Sequence, residues 1–122
     1  GLPVKDAPDI SDARVNDLRV ALLQEELDEL KDALREGDTV GVLDALTDLQ
    51  YVLDGAYLSL GYHLLKDVAL AEVQRSNMSK LGRDGKPVVR ESDGKILKGP
   101  DYSPPDLTKV MEDWRAARQK AA

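Results

Sequence analysis

The sequence predicts an all-α protein, an antiparallel bundle of about four helices with a Gly-rich loop or small hairpin before the last helix. Apolar residues recur at intervals of three and four over most of the chain, the spacing of helices that bury one face. Capping residues and glycines separate the helical stretches. The length of 122 residues suits one domain, and we expect residues 1–122 to form a single domain.

The first helix follows a lead-in with two prolines, residues 1–10, which we expect to be extended. Ser11 and Asp12 can each cap the helix, because a short polar side chain accepts hydrogen bonds from free backbone N–H groups. The helix is predicted to run to about Glu36. Gly37 then ends it, since glycine readily adopts the left-handed conformation at a helix C-terminus.

The second and third helices are bounded by similar signals. Asp38 or Thr39 can cap the second helix, which is predicted to run to about Leu60 with Gly61 as its C-cap. Apolar residues at helical spacing predict the third helix over residues 64–80.

The chain changes character in the glycine-rich stretch of residues 82–99. Short β-prone stretches at residues 87–90 and 95–98 flank an Asp-Gly pair, which favours a hairpin. The last helix is predicted to start at Ser103, because the two prolines that follow this serine fit a first helical turn.

Composition excludes much of the usual catalytic chemistry. The chain has no cysteine and a single histidine, His63, so disulfides, cysteine nucleophiles and Cys-rich metal sites are excluded. Any metal site must use mainly carboxylates, which suit Mg²⁺, Mn²⁺ or Ca²⁺. The net charge of -6 argues against binding a nucleic-acid polymer. No apolar run reaches the length of a membrane span, so we expect a cytoplasmic protein.

Glutamates occupy the apolar face of the first helix. On a helical wheel Glu26 and Glu29 lie inside the apolar stripe, and Glu25 borders it. Burying ionised carboxylates without a partner costs several kcal/mol each, and neighbouring carboxylates repel one another. Residues 25–54 hold ten acidic residues and only two basic ones. The usual remedies are protonation, basic partners or a cation, and this region offers few basic partners.

The second helix carries a similar pair. Asp44 and Asp48 are four residues apart, on one face, at the border of a broad apolar stripe. A short loop between two antiparallel helices would bring them opposite Glu26 and Glu29. Four or five carboxylates would then form a cage suited to one or more Mg²⁺ ions, with Mn²⁺ as a substitute.

Four stretches carry a family pattern in order. They are residues 25–29, 44–52, 72–80 and 93–100. With them the chain resembles the all-α nucleoside triphosphate pyrophosphohydrolases, a superfamily that includes MazG, the dimeric dUTPases and phosphoribosyl-ATP pyrophosphohydrolase. The superfamily signature is Glu-x-x-Glu on one helix and Glu-x-x-Asp on the next.

One position departs from that signature. Glu26 and Glu29 match its first half and Asp48 matches the final aspartate, but the second glutamate would fall at Ala45. Asp44 is the expected substitute, which leaves the number of bound ions open.

The resemblance implies hydrolysis between the α- and β-phosphates of a nucleoside triphosphate, giving a monophosphate and pyrophosphate. A role in nucleotide-pool housecleaning, with dUTP or another dNTP as substrate, is the expectation. The implied metal ligands are Glu26, Glu29, Asp44 and Asp48. Glu25 and Glu26 are the candidate catalytic residues, with Glu25 orienting or deprotonating the attacking water or holding a second ion.

Cationic residues concentrate later in the chain. Residues 80–98 contain six basic and three acidic residues, which suits a lid that closes over phosphates. The candidate substrate-binding residues are Arg75, Asn77, Lys80, Lys95 and Lys98.

Two alternative functions stay open. One is phosphoribosyl-ATP hydrolysis, and the other is a non-enzymatic helical dimerisation or regulatory module whose acidic residues are merely solvated. Two long helices leave more apolar surface than one small chain can cover, so we expect a homodimer, or a tetramer built from two dimers.

Overall fold

The computed structural model describes residues 4–121, and over these residues it confirms the all-α class with four helices and one two-stranded sheet. The elements are α1 (Ala13–Glu36), α2 (Thr39–Leu60), a 3₁₀ turn (His63–Leu65), α3 (Lys66–Met78), β1 (Val88–Val89), β2 (Ile96–Leu97) and α4 (Leu107–Ala121). The chain divides into two compact units, with the boundary between Leu64 and Leu65. No helix among the described residues is long and apolar enough to cross a membrane.

The first unit is an antiparallel pair of helices, α1 and α2, joined by a two-residue connection. Of the alternative caps, Asp12 caps α1 through the N–H groups of its first turn, and Asp38 accepts from Gly41 N at 2.9 Å. Ser11 does not cap because its hydroxyl donates to Asp9 Oδ1 at 2.6 Å. The predicted glycine at the end of α1, Gly37, is left-handed with φ 66°.

Glycines let α1 and α2 approach closely. A Cβ added to Gly41 would lie 3.3 Å from Ala33 Cβ, and one added to Gly55 would lie 2.5 Å from Arg19 Nη1. The pairs Gly41–Ala33 and Gly55–Arg19 fit one antiparallel register, because a step forward along α2 matches an equal step backward along α1. The register also places Glu26 opposite Asp48, as the sequence predicted.

The lead-in runs along the C-terminal end of α2. The backbone N–H groups of Lys5 and Asp9 donate to carbonyl oxygens in the last turn of this helix. These bonds satisfy acceptors that a helix end leaves free. A side chain on Gly61 would overlap the carbonyl of Ala7, so this close approach requires glycine. Residues 1–3 of the predicted extended lead-in lie outside the described residues.

The second unit contains α3, the hairpin and α4. Helix α3 begins two residues later than predicted, at Lys66, because the residues before it form the 3₁₀ turn, and it ends at Met78. The predicted hairpin is confirmed, since Val88 pairs with Leu97 and Val89 with Ile96 in an antiparallel ladder.

The predicted start of the last helix at Ser103 is wrong, because α4 begins at Leu107. The helical conformation is disfavoured for a residue that precedes proline, and Pro104 precedes Pro105, so a helix does not begin there. Ser103 N instead donates to Ser79 Oγ at 2.8 Å, which ties the extended segment to the end of α3. Asp106 then caps α4, its carboxylate accepting from Lys109 N at 3.0 Å.

Candidate active site

Three carboxylates of α1 converge at one point of the first unit. Glu25, Glu26 and Glu29 each offer an oxygen, and these oxygens lie within 4.8 Å of one another. Positions four residues apart on a helix are neighbours, and the adjacent glutamate adds the third group at the edge of the same face. The cluster is the group that the sequence predicted on α1.

Glu26 is the member of the cluster that points inward. It is half-buried, and its Oε2 atom is fully buried without a hydrogen-bond partner among the described residues. Partial burial, a hydrogen bond with Glu29, and the charges of Glu29, Asp48 and Glu25 raise the pKa of Glu26 from 4.5 to about 7. A carboxylate in such surroundings is stabilised by a proton or by a cation.

The other carboxylates lie further out. The wheel placed Glu29 inside the apolar stripe, but its side chain is exposed, as are Glu25 and Asp44. Asp48 is half-buried. Glu29 is exposed although it lies within the apolar stripe of α1, so membership of the stripe does not by itself bury a side chain.

Glu29 and Asp44 share an acidic pocket of about 230 Å³ between α1 and α2. Its other acidic lining residues are Asp32, Glu36 and Asp38. The sequence did not predict these three as site residues, and the wheel had placed Asp32 on the solvated arc. For Asp32 and Glu36 the sequence did offer a signal: they follow Glu29 by three and seven residues, which places them near the same face of α1.

Arg75 is engaged elsewhere in the second unit. Its guanidinium donates to both carboxylate oxygens of Glu72, at 2.7 and 2.9 Å, and to Pro104 O at 3.1 Å. Glu72 also accepts from Asp106 N at 2.7 Å. These bonds lower the pKa of Glu72 to about 2. Arg75 therefore fastens the segment before α4 to α3, a role that sequence reasoning missed.

The remaining predicted substrate contacts belong to the second unit as well. Asn77 is exposed in the last turn of α3, and Lys80 is half-buried just beyond it. Lys95 is exposed beside the hairpin turn, and the Lys98 ammonium lies 4.8 Å from the centroid of the Tyr102 ring. That these four residues and Arg75 bind substrate stays a prediction.

Comparisons with known proteins agree with the geometry of the carboxylates. A family model described as phosphoribosyl-ATP pyrophosphohydrolase matches residues 1–77, which include every carboxylate of the site. A solved structure from Exiguobacterium sp. 255-15, whose proposed activity is NTP pyrophosphohydrolysis, is 31% identical with a TM-score of 0.53. The similarity covers 84% of this chain and 64% of that one, so this chain spans less than two thirds of its neighbour. A search of curated proteins finds no match.

Proposed function

Because the chain belongs to the phosphoribosyl-ATP pyrophosphohydrolase family, we propose that it hydrolyses the phosphoanhydride between the α- and β-phosphates of a nucleotide. The products are a nucleoside monophosphate and pyrophosphate. The observation that carries the proposal is the buried, unpartnered Oε2 of Glu26 inside a cluster of carboxylates. A merely solvated acidic face would leave every carboxylate oxygen in contact with water.

The donor set fits a divalent cation. Glu26, Glu29 and Asp48 are the proposed ligands, and Asp44, which lines the neighbouring pocket with Glu29, is the fourth. Carboxylate oxygens are the ligands that Mg²⁺ and Mn²⁺ prefer. When bound, such an ion would neutralise phosphate charge and lower the pKa of its bound water toward neutral pH.

Glu25 and Glu26 have different proposed roles in the hydrolysis. Water attacks phosphorus, the bridging P–O bond breaks, and the pyrophosphate or monophosphate oxygen leaves as an anion. Glu25 is exposed and adjacent in sequence to Glu26, so we assign it to orient the water and accept its proton. Glu26 itself holds the centre of the cluster, where its ionisation responds to Glu29 and Asp48.

Two substrate classes follow from the similarities to known proteins. The family description favours phosphoribosyl-ATP, whereas the Exiguobacterium neighbour favours a nucleoside triphosphate, with dUTP or another dNTP as the specific expectation. The two classes share the triphosphate and its scissile bond. The carboxylate cluster therefore serves either substrate, and the discrimination must come from groups outside it.

A substrate panel tests the proposal. The chain is incubated with NTPs, dNTPs including dUTP, and phosphoribosyl-ATP, in Mg²⁺ or Mn²⁺, and pyrophosphate and orthophosphate are measured separately. We expect pyrophosphate from at least one substrate, lost in Glu29→Gln and Asp48→Asn. Asp17→Asn, an exposed acid on the same helix, is the matched control and should stay active. Orthophosphate alone, or no product at all, would overturn the proposal.

We also propose that the chain forms a homodimer through α2. Four apolar side chains on this helix are 50–78% exposed: Val40, Leu43, Leu46 and Tyr51. They point away from the face that carries the buried Ala45 and Ala56, so α2 has apolar surface beyond its contact with α1. Light scattering should give a dimer, or a tetramer of two dimers, that Leu43→Arg dissociates. A monomeric wild type would contradict this assembly.

A further inference from the structure

Arg19 is a buried arginine at the contact between α1 and α2. Arg19 is only 8% exposed. Its Nε donates a hydrogen bond to Ser59 Oγ at 3.0 Å, and Ser59 is itself only 1% exposed. Gly55 provides the space for the guanidinium, since a Cβ there would lie 2.5 Å from Nη1 and 3.2 Å from Cζ. The chain thus builds a specific seat for this cation.

The guanidinium has no anionic partner in the part of the chain that the structure describes. Within residues 4–121 the hydrogen bond to Ser59 is its one polar contact, and no carboxylate of these residues pairs with it. Its nitrogens are not among the described atoms that are fully buried without a hydrogen-bond partner. A guanidinium is always charged and carries five donors, so most of its binding capacity is unused.

Arg19 lies on the same stripe of α1 as Glu26. The two residues are seven positions apart, which is two helical turns and about 10.5 Å along the axis. Gly55 and Asp48 have the same spacing on α2. The α1–α2 contact therefore repeats with a period of seven residues: one level carries the carboxylates, and the next carries a cation without an anionic partner among residues 4–121.

We propose that the Arg19 guanidinium binds a phosphate group of the substrate, one level along the α1–α2 contact from the carboxylate cluster. The inference rests on the proposed function, which supplies a substrate rich in phosphate. Planar guanidinium groups match phosphate oxygens with two parallel N–H donors. Ser59 and Gly55 are positioning residues that fix the direction of the fork.

Two sources of this phosphate are chemically equivalent. One is the triphosphate itself, whose distal phosphates extend beyond the carboxylate cluster. The other is a separate phosphate monoester at the far end of the substrate, which phosphoribosyl-ATP has on its phosphoribosyl group and ATP lacks. In the second case Arg19 selects between the two substrate classes.

The binding experiment uses inorganic phosphate in EDTA, so that the carboxylates cannot bind it through a metal. The thermal midpoint is measured against potassium chloride of equal ionic strength for wild type, Arg19→Met and Arg14→Met. Arg14 is exposed on the same helix and is the matched control. We expect phosphate to raise the midpoint of wild type and Arg14→Met more than that of Arg19→Met. Equal shifts in all three proteins would overturn the proposal.

The kinetic experiment separates the two sources. Arg19→Met should raise KM by about tenfold or more while kcat changes little, the scale of one lost hydrogen bond to a charged group. A rise for both ATP and phosphoribosyl-ATP assigns Arg19 to the triphosphate. A rise for phosphoribosyl-ATP alone assigns it to the remote phosphate. An unchanged KM for both would leave Arg19 as a structural brace and contradict the proposal.

Two further variants keep the test decisive if Arg19→Met does not fold. Gly55→Ala retains the charge but displaces the guanidinium from its seat, and Arg19→Lys retains the charge without the planar fork. Both should raise KM in the same direction as Arg19→Met. A wild type inactive on every substrate would sink the proposed function, whereas the phosphate measurement in EDTA would still decide the role of Arg19.

Discussion

Glu26 on α1 and Glu72 on α3 are both half-buried glutamates on helices, but their surroundings are opposite. Glu72 accepts two bonds from Arg75 and one from Asp106 N, and its pKa falls to about 2. Glu26 has other carboxylates around it and an oxygen without a partner, and its pKa rises to about 7. A glutamate with every oxygen satisfied stabilises the fold, whereas one left unsatisfied at a stability cost indicates a ligand.

The largest expected effect of this contrast is on catalysis. Glu26→Gln should lower kcat/KM by about 100-fold or more, the scale on which loss of one electrostatic contact to a transition state is felt. Glu72→Gln should retain most of the activity at temperatures where the variant is folded. Steady-state pyrophosphate release measures both. Equal losses in the two variants would erase the functional distinction between the two glutamates.

The next largest effect should be on metal binding, which is expected to require Glu26 but not Glu72. Millimolar Mn²⁺ or Mg²⁺ is expected to raise the thermal midpoint of wild type by several degrees, because an ion that binds only the folded state stabilises it. The increase should disappear in Glu26→Gln and persist in Glu72→Gln. Because Glu26 has a pKa of about 7, protons compete with the ion, and the increase should be larger at pH 8 than at pH 6. Calorimetric scans with and without EDTA check this.

Without metal, the thermal midpoint should depend on Glu72 and not on Glu26. Glu72→Gln is expected to lower the thermal midpoint by several degrees, because it removes the charged acceptor that fastens the segment before α4. Glu26→Gln should leave the midpoint unchanged or raise it, since it relieves repulsion. Glu91→Gln, at an exposed loop position, is the control. A larger loss in Glu26→Gln than in Glu72→Gln would contradict the comparison.

The smallest expected effect is the pH dependence of unfolding in EDTA. The folded pKa of Glu72 is below its ordinary 4.5, so its contribution is complete above pH 4.5 and is lost as the pH falls toward 2. The folded pKa of Glu26 is above 4.5, so its ionisation destabilises the protein as the pH rises from 4.5 to 7. The urea midpoint of unfolding, measured as a function of pH, checks both effects. The fall in the midpoint below pH 4.5 should be absent in Glu72→Gln, and the fall between pH 4.5 and 7 should be absent in Glu26→Gln.

Much of the fold was predictable because local signals agreed with one another. The caps at Asp12 and Asp38, the left-handed Gly37 and the hairpin turn depend on interactions within a few residues. The start of α4 was misjudged for two reasons: the restriction that Pro105 places on Pro104 was overlooked, and Ser103 is held by Ser79, a contact that spans 24 positions. Short-range chemistry is visible in a sequence, whereas contacts distant along the chain are not.

The candidate site was only partly predictable for the same reason. The wheel identified Glu26 as an inward carboxylate because its neighbours on that face of α1 are apolar. It placed Glu29 too deep, since it contains no information on where α2 covers α1. Arg75 and Glu72 are three residues apart on α3, so their pairing was open to prediction from spacing, whereas the bonds to Pro104 O and from Asp106 N form only in the folded second unit.

The sequence alone determined the helices, their caps, the carboxylate chemistry and the separation of acidic from basic segments. These properties follow from residue type and periodicity, which act over a few positions. The tertiary structure decided which charges are satisfied. Among the described residues, Glu72 is paired, Glu26 has a buried oxygen without a hydrogen-bond partner, and Arg19 lies over Gly55 without an anion. Whether a charge finds a partner depends on packing between elements, and that packing separates a structural glutamate from a functional one.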